Sequence, residues 1–357
     1  MSKRINTAVW QEKYKRWQIN VQKDGIRKSF YSSTPGRTGQ REANKKADQW
    51  LDGDIQNPSA AVKVLYAAYL ESVRQTTSTS NFLKIKSIGD VWIMPNIGHL
   101  KIGKLTEAHL QKIIDSACAK GLAKKSLLNI RATIMAFVKY CRKAKATDLI
   151  PEDLTIPHSA RSKGHRILQP EDLKTLFTVD TTLYNGKRIK DPMINAYRFQ
   201  VLTGLRPGEL FDLKWSNIKG RAVQITGSQN WLGEITNGKN ENALRRFTMC
   251  ENAYQVLQNQ REMKIKNCVY VFGELSQSLY YKAWKRYCKS NGLSDVTPYE
   301  LRHTFVSIAK QLPEGDVKAL VGHSQSMDTF GIYGHEMAGD ADRVADNLNT
   351  VFDTLLG

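Results

Sequence analysis

The sequence predicts a multi-domain protein: a small β-sheet plus helix N-terminal module, then an all-α bundle, then a mixed α+β, mainly helical, domain. Three observations carry this. The chain has 357 residues, more than a single core normally serves. Apolar residues alternate with polar ones at Trp17, Ile19 and Val21, but recur at helical spacing between Val62 and Cys141. Strand-like runs return only beyond residue 220, between further helical stretches.

In the first segment, Asp24-Gly25 supplies a tight turn after the alternating run, and Ile26 to Ser32 returns as a second strand. Ala43, Ala47, Trp50 and Leu51 fall on one side of a helix over 40–51, which would cover the sheet. Lys13, Lys15, Arg16, Lys23, Arg27 and Lys28, interleaved with Tyr14, Trp17 and Tyr31, are read as exposed strand positions able to reach phosphates. Gly53, Pro58 and Ser59 break the pattern, which sets domains at 1–57 and 58–150.

Helices in the second domain are marked by Val62, Leu65, Tyr66, Tyr69, Leu70 and Val73, by Leu110, Ile113, Ile114 and Ala117, and by Leu127, Ile130, Ile134, Phe137, Val138 and Cys141. Phe82, Ile85, Ile88 and Trp92 mark another that should end before Pro95. Lys124, Lys125, Arg131, Lys139 and Arg142 make the later half basic, a candidate phosphate-contacting face. Residues 151–168, with Pro157 and Gly164, read as a linker whose Arg161 and Lys163 could lie along a nucleic-acid backbone. The last domain, 169–357, shows helices near 170–177, 191–203, 252–262 and 277–290, with strands at 221–226, 231–236 and 245–249.

The charge balance, 53 Lys+Arg against 34 Asp+Glu for a net +19, points to a polyanionic partner, nucleic acid before an anionic membrane surface. The longest apolar candidate, Val64 to Leu70, is far too short to span a bilayer, and the N-terminus lacks a signal core, so a cytoplasmic location is expected. Five scattered cysteines without CxxC spacing argue against a disulfide framework or a zinc ribbon. His323 and His335 find no carboxylate or cysteine to complete a metal site. Neither metal nor other cofactor is expected.

Four blocks in the last domain carry chemistry: TGLRPGEL at 203–210, GKNENALRR at 238–246, TPYELRHTF at 297–305 and LVGHSQSMDTFGIYGH at 320–335. In this order they resemble the tyrosine recombinase (phage integrase) family, of the arm-binding integrase type. The N-terminal module is similar to that family's arm-type DNA-binding domain, and the bundle to its core-binding domain. Breaking a phosphodiester without a metal needs a nucleophile, fixed positive charge on the non-bridging oxygens and an acid for the leaving oxygen. The resemblance implies Tyr333 as nucleophile, Arg206 and Arg302 as the phosphate-holding arginines, Lys239 as the proton donor and His323 as a further phosphate ligand. Arginine suits the clamp because its planar fork binds phosphate bidentately and keeps its charge. Glu209 would orient Arg206 or pack against the active site, and His303 would give structural support. Lys239, between a strand ending at Thr236 and one beginning at Arg245, is expected at a β-hairpin tip.

The sequence departs from the family at Tyr299, where histidine is usual. A phenol can donate to phosphate but is a poor base at neutral pH. The resemblance further implies strand exchange through a Holliday junction without metal or ATP, by a homotetramer on double-stranded DNA with arm-type and core-type sites. A DNA-bending host factor and an excisionase are further partners it suggests, in the bacterial cytoplasm. Type IB topoisomerase-like activity and a non-catalytic DNA-binding regulator are the alternatives. Val344, Leu348, Val351, Phe352 and Leu355 mark a last amphipathic helix, expected over 341–356 to dock on a neighbouring protomer or on its own domain.

Overall fold

The computed structural model describes residues 6–23, 26–52, 58–162, 164–236, 244–263, 268–322 and 339–357. The chain divides into two compact units, 1–163 and 164–357.

The first unit opens with a three-stranded antiparallel sheet, β1 (Val9–Gln11), β2 (Arg16–Lys23) and β3 (Ile26–Ser32), in that spatial order. β1 was not expected from the sequence. Helix α1 (Gly36–Asp52) lies against the sheet, burying Ile19 and Val21 beneath Ala43, Ala47 and Leu51. The Asp24-Gly25 turn lies outside the described residues.

Residues opposite one another in an antiparallel pair share a face. The register Val21↔Lys28 therefore puts Lys28 on the helix side, where its ammonium sits 5.5 Å from the Phe30 ring centre. Lys23 shares that side and donates to the Leu51 carbonyl. Lys13 and Lys15 belong to a 3-10 turn and its left-handed end rather than to a strand. Arg16 and Arg27 remain on the open face, where the Arg16 guanidinium stacks 4.0 Å from the Tyr31 ring centre.

The rest of the unit is a helical bundle: α2 (Val62–Thr76), α3 (Thr79–Ile88), α4 (Met94–Ile97), α5 (Glu107–Ala119) and α6 (Lys124–Lys143). Tyr66, Tyr69 and Phe137 meet at its centre, with Tyr66 and Phe137 ring centres 5.1 Å apart. The helix expected to stop before Pro95 instead runs through a π-turn at Gly89–Ile93 into α4, whose first turn accepts the proline because no N–H is needed there. Gly89 is required by packing, since a Cβ would lie within 2.4 Å of the Tyr66 ring. Lys124, Lys125, Arg131, Lys139 and Arg142 all project from the exposed face of α6. The Arg161 carbonyl accepts from the Lys124 N–H at the start of that helix, while Lys163 lies outside the described residues.

The second unit begins with α7 (Pro170–Thr178) and a hairpin absent from the sequence reading, β4 (Thr181–Tyr184) with β5 (Lys187–Lys190). Asn185 and Gly186 both have positive φ, as a two-residue hairpin turn demands. Helices α8 (Ile194–Thr203) and α9 (Pro207–Asp212) follow, then strands β6 (Ile218–Lys219), β7 (Ala222–Ile225), β8 (Ser228–Gln229), β9 (Ile235–Thr236) and β10 (Arg245–Thr248). The expected strand over 231–236 shortens to β9, because the Asn230 side chain takes the Leu232 and Glu234 N–H groups into a tight turn.

β9 pairs with β8, whereas β10 pairs with β7 in the sheet ordered β10-β7-β6. The described strands on either side of Lys239 thus pair in different sheets, and the hairpin tip expected at Lys239 lies outside the described residues. Phe247 opposite Val223 draws β10 onto the core sheet instead.

The closing helices are α10 (Glu251–Glu262), α11 (Gln277–Asn291), α12 (Pro298–Ala309), α13 (Glu314–Val321) and α14 (Asp340–Leu356). Tyr197, Tyr280, Trp284, Tyr287, Phe305 and Phe352 fill the core they enclose. α14 buries Val344, Ala345, Leu348 and Phe352 on its own unit, and its Asn349 amide oxygen caps the Asn252 N–H of α10. Among the described residues no helix is long and apolar enough to cross a membrane.

Candidate active site

The site is built from the turn between α8 and α9, the first turns of α12, the start of β10 and the end of α13. α8 stops at Gly204, whose φ of 64° is the left-handed cap glycine tolerates. A Cβ there would also lie 2.3 Å from the Phe305 ring. Gly204→Ala should cost the protein about 2–4 kcal/mol from strain and overpacking together, read as a fall in its urea midpoint. A midpoint equal to that of the parent would refute the constraint.

Two residues on, Arg206 is the N-cap of α9, with Pro207 in the first turn. Glu209 returns one oxygen to the Arg206 backbone N–H (2.9 Å) and the other to its Nη1 (2.7 Å). Gln200, fully buried, donates to the Leu205 carbonyl (3.1 Å) and to that of Pro298 (3.0 Å), while Tyr280 donates to its amide oxygen. One amide thereby ties the turn bearing Arg206 to the start of α12.

α12 begins with a capping box in which Glu300 accepts from the Thr297 N–H. Its Arg302 points inward and is 2% exposed. Nη1 donates to the Gly204 carbonyl at 2.9 Å and Nη2 to that of Val321. Burial, then the neighbouring Arg206 and, more weakly, Arg245 bring its pKa down to about 10. His303 is half-buried and stacks on His165 with ring centres 4.1 Å apart. Burial, the His165 ring and Arg302 depress its pKa, which keeps it neutral at pH 7. Tyr299 is 42% exposed, with its ring edge-on to His303.

The last carbonyls of a helix lack partners within it and carry the negative end of its dipole. At the end of α13 three in succession are taken by arginines: Leu320 by Arg245 Nε (2.7 Å), Val321 by Arg302, and Gly322 by Arg206 Nη2 (3.2 Å). Arg245 also forks Glu209, with Nη1 at 3.1 Å from one oxygen and Nη2 at 2.9 Å from the other. Burial alone would raise the Glu209 pKa. The bonds and charges of Arg245 and Arg206 outweigh it and hold the carboxyl below its ordinary range.

Arg206, Glu209 and Arg302 are thus brought together, with Tyr299 and His303 on the helix that carries Arg302. Lys239, His323 and Tyr333 lie outside the described residues. Sequence reasoning missed Arg245 and Gln200. The signal for Arg245 was strand alternation, which puts it on the same side as buried Phe247 and leaves Arg246 outside. For Gln200 there was none beyond a polar residue in an apolar helix.

The family model described as phage integrase family matches residues 166–339, and that described as phage integrase, N-terminal SAM-like domain, matches 62–117. Among curated proteins, the ICEBs1 integrase of Bacillus subtilis (strain 168) is 22% identical, over 91% of this chain and 92% of its own. A tyrosine recombinase XerC-like protein of Caldanaerobacter subterraneus subsp. tengcongensis is also 22% identical, over 99% and 100%. Among solved structures, the Tn1549 transposon integrase in complex with a circular intermediate DNA shares the fold with a TM-score of 0.63 at 19% identity, over 80% of this chain and 98% of that one. A lambda integrase tetramer bound to a Holliday junction gives a TM-score of 0.61 at 16% identity, over 90% and 96%. With two family models matching the first part of the bundle and the arginine site, the chain belongs to the phage integrase family of tyrosine recombinases.

Proposed function

We propose that this protein is the site-specific DNA recombinase of a phage or other mobile element, with Tyr333 as its nucleophile. The observation that supports it best is the gathering of Arg206 and Arg302 at the end of α13, directly before His323 in the chain. Their charge would bind the non-bridging oxygens of the scissile phosphate, with His323 as a further donor. As the Tyr333 hydroxyl gives up its proton to solvent, its oxygen attacks phosphorus, the bond to the 5′ oxygen breaks, and a 3′-phosphotyrosyl ester forms. Lys239 gives the departing oxygen its proton. The 5′ hydroxyl of a partner strand then attacks the ester and releases the tyrosine, so the bond energy is conserved without ATP. Tyr299, at its usual donor position, supplies a hydrogen bond rather than a base.

On this reading the two N-terminal domains read DNA. The open sheet face with Arg16 and Arg27 serves arm-type sites, with Lys15 at its margin, while Lys28 lies on the helix side of the sheet. Lys124, Lys125, Arg131, Lys139 and Arg142 of α6, with Arg161 and Lys163, grip the core site. Four copies assemble on paired sites and pass through a Holliday junction, in the bacterial cytoplasm, with a DNA-bending host factor and an excisionase setting direction.

A nicked suicide substrate carrying the element's core site should trap a covalent adduct, mapped by peptide analysis to Tyr333. Tyr333→Phe should bind the same DNA and form none. An adduct on another tyrosine, such as Tyr299, would sink the assignment.

A further inference from the structure

Arg245 carries a guanidinium but faces inward. Its side chain is 7% exposed, two nitrogens fork Glu209, and Nε holds the Leu320 carbonyl. So enclosed, it is not placed to receive phosphate. Its effect falls on what Glu209 does to Arg206.

Glu209 is buried and lies 2.7 Å from the Arg206 guanidinium. Paired with Arg206 alone, that carboxylate would cancel the charge needed at the phosphate, and in a buried setting the cancellation is strong. Arg245 supplies the second cation. Among the described residues, three guanidiniums gather around one carboxylate at the end of α13, so the cluster keeps an excess of positive charge. The fork also fixes orientation. One Glu209 oxygen is shared between Arg206 Nη1 and Arg245 Nη1, and the other between the Arg206 backbone N–H and Arg245 Nη2. The carboxylate therefore cannot turn to take the Arg206 side chain with both oxygens, and that guanidinium stays a quarter exposed.

We infer that Arg245 is a positioning residue for DNA cleavage, one that balances Glu209 so that Arg206 keeps both its charge and its aim at the scissile phosphate. Its bond to Leu320 extends this to the chain segment leading into His323. The inference rests on the recombinase reading above.

The test uses the full chain and the nicked core substrate, with single-turnover adduct formation and half-site affinity measured separately. Arg245→Met should cleave about 100-fold more slowly, with affinity within about threefold of the parent. Arg245→Lys keeps the charge without the fork and should lose only about tenfold. The double variant Glu209→Gln with Arg245→Met removes the carboxylate that needed balancing, and should cleave at least about tenfold faster than Arg245→Met alone. A role in packing alone predicts a double variant no better than the single one, and that result overturns the inference, as does Arg245→Met cleaving at the parental rate. If Arg245→Met does not fold, Arg245→Lys decides: slower cleavage at unchanged affinity supports the inference, and parental cleavage overturns it. Absence of any adduct with the parent protein would instead sink the recombinase reading, and the inference with it.

Discussion

Replacing Arg302 with methionine should slow DNA cleavage by about a thousandfold while leaving the fold in place, the size expected for loss of a charged donor at a phosphate. The two effects separate because the cation is poorly hosted. It is buried beside two other guanidiniums, and methionine removes that repulsion and the cost of desolvation. Against this, the Gly204 and Val321 carbonyls lose their donor. The opposing terms should leave stability within about 2 kcal/mol of the parent.

The pH dependence gives a second check. The folded-state pKa of Arg302 lies near 10, well below the ordinary guanidinium value. The unfolded chain therefore binds more protons between those values, and the cost of burying the cation, full below pH 10, is relieved as pH rises above it. Denaturant curves for the parent and Arg302→Met should converge or cross in the parent's favour over that window. Cleavage by Arg302→Met at the parental rate would remove Arg302 from the phosphate clamp.

Glu209→Ala should have the opposite profile, a loss of about 3–5 kcal/mol, because it strips the counter-charge from Arg206 and Arg245 inside the core. The same carboxylate sets an acid limit. Its folded-state pKa is depressed, so its contribution is complete above the ordinary carboxylate pKa and is lost as pH falls through the lowered value. The gap between parent and Glu209→Ala should accordingly close on acidification. A gap that stays constant down to acid unfolding would show that Glu209 acts by packing and not by charge.

The sequence made Arg206, Glu209 and Arg302 legible because each stands in a short block whose turn chemistry is local: Pro-Gly after Arg206, and Thr-Pro with Glu300 before Arg302. The amphipathic helices of the bundle were legible for the same reason, their burial following a 3.6-residue period. Arg245 and Gln200 were not, since what each does depends on carbonyls at Leu320 and Pro298, far along the chain. The β4–β5 hairpin escaped notice although Asn185-Gly186 is a strong turn signal. Its strands show little apolar alternation, and of their residues only Thr182 is buried, its hydroxyl paired with that of Ser290. Lys28 was misplaced by one face, since without the register a basic residue beside Arg27 reads as equally exposed.

The end of α13 also constrains how the gene can change length. Each residue turns an α-helix by about 100°, so one codon gained or lost between Glu314 and Val321 would swing the carbonyls of Leu320, Val321 and Gly322 away from all three arginines at once. Tyr333 is counted off from that same point, eleven residues beyond Gly322. Insertions are thus better borne at a surface turn such as Asn185-Gly186, where a hairpin tip can lengthen without shifting a cation.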